Sequence, residues 1–173
     1  VAVEINAGLT PLAQARLNKI MTQLARKAGD VSGALKNIGE ALLETTNERF
    51  ETGRDPEGRK WQPLSPLTVK IRGAAGPILW NTGRLKSSIS YNVTGNVLEL
   101  GPNTVDAAIH QFGGRIVPKD AKALRIAAPG GPIFAKKVDI PARPYIGFGP
   151  KDWAAAKDAL EDWLDMEGTE NIA

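Results

Sequence analysis

Apolar residues recur three and four positions apart through the first fifty residues of the chain. Ala13, Leu17, Ile20, Met21, Leu24 and Ala28 share one helical face behind Thr10-Pro11, a cap residue followed by proline at the first helical position. Gly29 stops that run. Val31, Leu35, Ile38 and Leu42 define a second helix, capped by Asp30 or Ser32 and ending at Arg49 or Phe50. The two make a helical hairpin over residues 1–50. Each apolar face is narrow, so burial against the rest of the fold must supply most of its stability.

From residue 51 the helical period is lost. ETGRDPEGRKWQPLSP is rich in glycine, proline and charge, and Asp55-Pro56-Glu57-Gly58 matches a turn with proline at its second position. The pattern predicts a long loop over 51–86, with one short helix from Ser65-Pro66 toward Ile71 and another capped by Asn81 or Thr82 that runs through Leu85 to Ile89. Trp61 argues against plain disorder there, because a large aromatic is placed to bury area. SYNVT and VLELG flank Gly95-Asn96 as a hairpin. A helix capped near Asn103 or Thr104 then runs through Ala107, Ala108 and Ile109 to Phe112 and stops at Gly113-Gly114. RIVP, ALRIA and KVDI read as short extended pieces, with APGGP at the tip of a projecting hairpin. PARPYIGFGP is extended by its prolines. The last helix begins at Pro150 with Trp153, Ala156, Leu160 and Trp163 on one face.

The predicted fold class is α+β, a small antiparallel sheet packed by helices, with an N-terminal helical hairpin and a C-terminal helix. At 173 residues the chain fits one domain, divided into the hairpin (1–50), the loop (51–86), a β-rich core with one helix (87–149) and an acidic helix and tail (150–173).

Charge is distributed unevenly. Lys and Arg outnumber Asp and Glu by seven to two over residues 54–86 and again over 115–143, whereas residues 150–173 carry two against seven. Two basic segments and one acidic helix can meet within the chain, between copies or on a polyanion. The absence of cysteine excludes disulfides, thiolate metal sites and cysteine nucleophiles. No apolar run reaches the roughly 20 residues of a membrane span, and VAVEINAGLT lacks the order of a signal peptide, so synthesis in the cytoplasm without export by the general pathway is expected.

Catalysis finds little support. His110 is the only histidine, and Ser87, Ser88 or Thr104 could serve as its nucleophilic partner only through an unforeseen contact. One histidine without cysteine cannot build a zinc or iron site, and neither GRIVP nor APGGP matches a phosphate-binding glycine loop. No catalytic, cofactor or metal residue is assigned, and no cofactor is expected. The simplest reading of His110 is structural, with Ile109 and Phe112 entering the core while the imidazole and Gln111 satisfy backbone groups where the helix ends. A cationic imidazole near the last turn, favoured by the helix dipole, is the minor alternative. Arg143 reads as the partner of a carboxylate, and Trp153 and Trp163 as core. Basic loops without a recognition helix allow sequence-independent phosphate contact at most.

Four ordered motifs give the chain a family resemblance. Arg49, Phe50, Asp55, Pro56, Gly58, Trp61, Pro63 and Leu64 fill R-F-x-x-x-x-D-P-x-G-x-x-W-x-P-L; Ile78, Leu79, Thr82, Gly83 and Leu85 fill I-L-x-x-T-G-x-L. Ile109, His110, Gln111 and Gly113 fill I-H-Q-x-G, and Pro141, Ala142, Arg143 and Pro144 fill P-A-R-P. Over about residues 40–153 the chain resembles the phage virion morphogenesis and tail completion family; Ala107-Ala108 departs from the tyrosine common before the histidine motif.

That resemblance implies a structural protein of a tailed phage or prophage with a neck or tail-terminator-like fold, assembled in the host cytoplasm and carried in the virion, with no enzyme activity. It implies a ring, commonly sixfold, contacting neck, tail-tube or connector proteins; a head-completion role and nonspecific DNA binding are the alternatives, and a hydrolase centred on His110 is remote. Rings need unlike patches to meet. The expected interface sets the acidic face of Asp158, Glu161, Asp162 and Asp165 against a neighbour's basic loops, with Trp61, Trp80 or Tyr145 as anchors. Arg54, Arg59, Lys60, Arg115, Lys119, Lys122, Lys136 and Lys137 are then available to face a lumen and its packaged DNA.

Overall fold

The computed structural model describes residues 4–6, Ala15 and residues 31–170, with side chains described at Ala15 and from 31 to 164. The predicted first helix, Pro11 to Ala28, lies outside the described residues apart from Ala15.

The elements run β1 (Glu4–Asn6), α1 (Ser32–Thr52), α2 (Pro66–Arg72), α3 (Arg84–Ser87), β2 (Ile89–Thr94), β3 (Val97–Pro102), α4 (Ala107–Phe112), β4 (Gly114–Ile116), β5 (Leu124–Ile126), β6 (Ile133–Ala135), β7 (Val138–Ile140) and α5 (Pro150–Glu170). β2 and β3 form the expected antiparallel hairpin, with Thr94 paired to Val97 across a tight turn whose Gly95 has φ 59°. β1 adds to the other edge of β3 in parallel, making a three-stranded sheet in the order β1-β3-β2. This strand, unanticipated in sequence, is only three residues long. β4 pairs with β7, and β5 pairs with β6 around the APGGP tip. The class is mixed α+β.

α1 and α5 lie antiparallel. The start of α1 meets the far part of α5, where a Cβ on Gly33 would come within 2.6 Å of Trp163 Nε1, and the last turn of α1 meets the first turn of α5 through Arg49 and Asp152. The predicted stripe Val31, Leu35, Ile38 and Leu42 is buried against Leu98 of β3 and Ala156 of α5, with Tyr91, Phe148, Trp153 and Leu160 packed around it. Gly39 permits this close approach of helix to sheet, since a Cβ there would stand 2.4 Å from the Tyr91 ring. A second cluster joins Phe50, Trp61, Leu85, Ile89, Ala107 and Tyr145. Phe50 is its hub, edge-on to Trp61 at 5.7 Å and tilted on Tyr145 at 5.3 Å. Burying each such side chain contributes roughly 1.5–3 kcal/mol. Leu100 touches both clusters.

Several local expectations are corrected. α1 is capped at Val31 with no side-chain cap bond, so Ser32 is the first helical residue, and the helix runs past Phe50 to a left-handed Gly53. Ser65 does cap α2, accepting from Thr68 N at 3.1 Å. α3 starts after Gly83 (φ 78°) instead of Thr82, whose hydroxyl lies a long 3.4 Å from Arg84 N. Asp106, without a side-chain cap bond, precedes α4 in place of Asn103 or Thr104. Phe112 does not enter the core: it is 76% exposed, and Ala107 is the residue α4 buries.

Candidate functional site

The motif residues converge on one extended segment, Pro141 to Gly149, which is clamped from several sides. Prolines at 141, 144 and 150 prevent this stretch from satisfying itself as helix or ladder, so its carbonyls and amides need outside partners. Gln111 supplies three bonds: its Oε1 accepts from Tyr145 N and Ile146 N, both at 3.0 Å, and its Nε2 donates to Ile146 O at 2.7 Å. Trp61 Nε1 donates to Pro144 O at 2.8 Å, and Arg49 donates to Tyr145 O at 2.9 Å. The Tyr145 hydroxyl donates to Ala107 O at 3.1 Å, and burial, with Asp106 adding to it, pushes its pKa up to about 12. Arg143 N donates to His110 O at 2.8 Å, where Gly113 lets the chains pass: a Cβ there would meet Ala142 N at 2.6 Å.

Beside this clamp lies a buried polar node that sequence reading missed. Asp152, 1% exposed on the first turn of α5, pairs with Arg49, accepts from Thr45 Oγ1 at 2.6 Å and from Gly149 N at 2.8 Å. Its sequence signal is a carboxylate two residues after a helix-starting proline, one of the seven acidic residues over 150–173. Arg49 is held below the ordinary guanidinium value by burial, which the adjoining Asp152 opposes.

The Asp55–Gly58 turn forms as expected, with Gly58 N donating to Asp55 O at 2.9 Å and the Asp55 carboxylate receiving Arg59 N and Nε, each at 2.8 Å. Its Pro56 presses on Gly149, where a Cβ would fall 1.8 Å from Pro56 O. Four residues depart from their expected roles. Among the described residues Arg143 meets no carboxylate; buried at 6% exposure, it donates to Gln62 O and Pro63 O at 2.8 and 2.9 Å. His110 holds the corner by its backbone carbonyl, not its ring, whose buried Nδ1 has no hydrogen-bond partner. Burial lowers its pKa, Asp106 opposing and Arg143 and Arg72 adding, so a dipole-stabilised imidazolium is not favoured. Trp61 and Tyr145 are 4% and 1% exposed within the chain's own core and cannot serve as subunit anchors.

A cleft of about 530 Å³ opens beside the clamp, between the Gln62–Thr68 loop, the turn from Leu79 to Leu85, α4 and the end of β7. Pro63, Leu64, Thr82, Gly83, Leu85, His110 and Arg143 all line it, which brings residues of all four motifs to one hollow. Leu79, also in its wall, has φ 59°; the left-handed region costs a branched residue about 1–2 kcal/mol and such strain gathers at ligand clamps.

The predicted surface residues are otherwise exposed. Trp80 is 37% exposed, with Lys86 Nζ 4.3 Å over its ring. Asp158, Glu161 and Asp162 lie on the open side of α5, Glu161 paired with Lys157 at 2.8 Å; the side chain of Asp165 lies outside the described residues. Arg54, Arg59, Lys60, Lys119, Lys122, Lys136 and Lys137 are exposed, and Arg115 pairs with Asp139 at 2.6 Å across β4 and β7. Missed by sequence reading were exposed Val105 (96%), Phe112 (76%), Phe134 (65%) and Val117 (54%). The Ser88 hydroxyl donates to Leu85 O at 2.7 Å. Among the described residues no cluster of three or more metal-ligating side chains occurs, and no helix is long and apolar enough to cross a membrane.

Comparison with known proteins agrees with the motif order. The chain is 28% identical over 150 residues to Mu-like prophage FluMu G protein 2 of Haemophilus influenzae, covering 87% of this chain and 90% of that protein. It is 32% identical over 115 residues to the putative capsid assembly protein G of Escherichia phage Mu, covering 64% of each. No solved structure matches. The model of the phage virion morphogenesis family matches residues 12–165, so clamp, cleft and exposed faces all lie within the matched region, and the chain belongs to that family.

Proposed function

We propose that this virion-assembly protein acts in tail completion and head–tail joining at the phage neck, working as a ring of identical subunits. The observation that carries this reading is the presence of two unlike exposed surfaces on one chain. Residues 105–137 expose Val105, Phe112, Val117 and Phe134 among basic side chains, whereas α5 exposes Asp158, Glu161 and Asp162. Contact between two different patches repeats around a closed ring, and exposed apolar groups of this kind mark interaction sites. Phe112 and Phe134 take the anchoring role expected of Trp61 and Tyr145. Residual basic side chains such as Lys119, Lys122 and Lys136 face the lumen, where they touch DNA without reading its sequence.

A second reading has one observation in its favour: the phage Mu relative is described as a putative capsid assembly protein, which favours a head-completion role. Electron microscopy of particles assembled without the protein separates the two. Full heads beside overlong or unattached tails are expected for tail completion; leaking or empty heads establish the head-side role instead. Normal infectious particles formed in its absence would overturn both.

A further inference from the structure

Among the described residues, two guanidinium groups at the cleft have no counter-ion: Arg143, 6% exposed, donates to the carbonyls of Gln62 and Pro63, and Arg72 donates to Pro77 O at 3.1 Å. Among the described residues no carboxylate pairs with either. Of the acidic residues lining the cleft, Asp139 is held by Arg115 at 2.6 Å and Lys137 at 3.8 Å, whereas Asp106 faces Arg84 at 3.8 Å and its buried Oδ1 accepts no hydrogen bond among the described residues. A buried charge is normally paired, and here burial, with the like charge of Arg72 adding to it, lowers the pKa of Arg143. An incoming anion relieves both. The same hollow is walled by Leu64, Leu79 and Ile140, a surface that suits apolar side chains and offers a sugar-phosphate backbone little.

We propose that this cleft receives a peptide segment of another virion protein, one carboxylate of which binds at Arg143 and Arg72 while its apolar side chains lie on Leu64, Leu79 and Ile140. The planar guanidinium fork matches a carboxylate with two parallel bonds. This inference rests on the reading of the chain as an assembly component.

The test uses the full chain labelled with ¹⁵N and, as probe, a blocked hexapeptide alternating leucine and aspartate, beside its leucine–asparagine counterpart. Saturable shifts at the amides of Thr82, Gly83 and Arg84 and at the Arg143 side chain are expected, with the asparagine peptide binding at least about tenfold more weakly and Arg72→Gln weakening the acidic peptide about fivefold. Arg72 is chosen because Arg143→Gln removes two loop bonds and endangers folding. Equal response to both peptides, or none, overturns the proposal. So does displacement of the peptide by inorganic phosphate or a short DNA duplex at similar concentration, which marks a phosphate site, or the same shifts on raising protein concentration alone, which marks a second copy as occupant. Incorporation into particles is read separately. Peptide binding lost while the protein still enters virions removes the cleft proposal and leaves the assembly role standing; normal particles without the protein remove the role itself.

Discussion

His110 and Gln111 are neighbours on α4 with opposite kinds of importance. The Gln111 side chain closes three hydrogen bonds to Tyr145 and Ile146, whereas the His110 ring contributes a buried Nδ1 that finds no hydrogen-bond partner among the described residues. Gln111→Ala strips two amides and a carbonyl of their partner and is expected to cost about 2–3 kcal/mol in urea unfolding. His110→Gln should cost less at neutral pH and leave its mark on the pH dependence. Burial lowers the His110 pKa, with Asp106 opposing and Arg143 and Arg72 assisting. The unfolded ring protonates near 6.5, so between that value and the lower native one the unfolded chain binds more protons. Stability contributed by the neutral ring is therefore present above about 6.5 and lost as pH falls through the window. The difference in unfolding midpoint between pH 7.5 and pH 5 should shrink in His110→Gln relative to the native chain; an unchanged difference would remove the histidine from the account.

Elements with a strong period were legible, and contacts between elements were not. The stripe from Val31 to Leu42 announced α1, the alternation around Gly95-Asn96 announced β2 and β3, and Ser65-Pro66 announced α2. The three-residue strand β1 gave too little alternation to see, and α3 began at a left-handed glycine instead of a side-chain cap. The motif order revealed that distant segments belong together without saying how. What Arg49 does beside Phe50 becomes plain only when α5 brings Asp152 against it, 103 residues later. Removing one partner of a buried pair leaves the other uncompensated, so Asp152→Asn is expected to cost about 3 kcal/mol. Arg49→Met should then cost much less in the Asp152→Asn background than alone, with a coupling of about 1–3 kcal/mol in a double-mutant cycle. Additive losses would show that the pair does not join the two helices energetically.

At the scale of the whole molecule, the buried and the exposed halves of the sequence serve separate ends. Asp55, Trp61, Gln111, Arg143 and Tyr145 hold the segment from Pro141 to Gly149 in place, which accounts for their spacing without any partner. What remains outside is a set of exposed apolar rings among basic residues on one part of the chain and an acidic helix face on another. If these meet between subunits, apolar burial and charge attraction respond to different treatments. Salt shortens the Debye length from about 10 Å at 0.1 M to about 3 Å at 1 M and weakens the second, while leaving the first intact. Phe112→Ser with Phe134→Ser removes the first. Both rings already face solvent, so the double variant should unfold within about 0.5 kcal/mol of the native chain, yet its mass by light scattering should fall to that of a monomer at concentrations where the native chain is oligomeric. The native oligomer should loosen, without full dissociation, as salt is raised. An oligomer indifferent to both serines would place the subunit contact on surfaces other than those that carry Phe112 and Phe134.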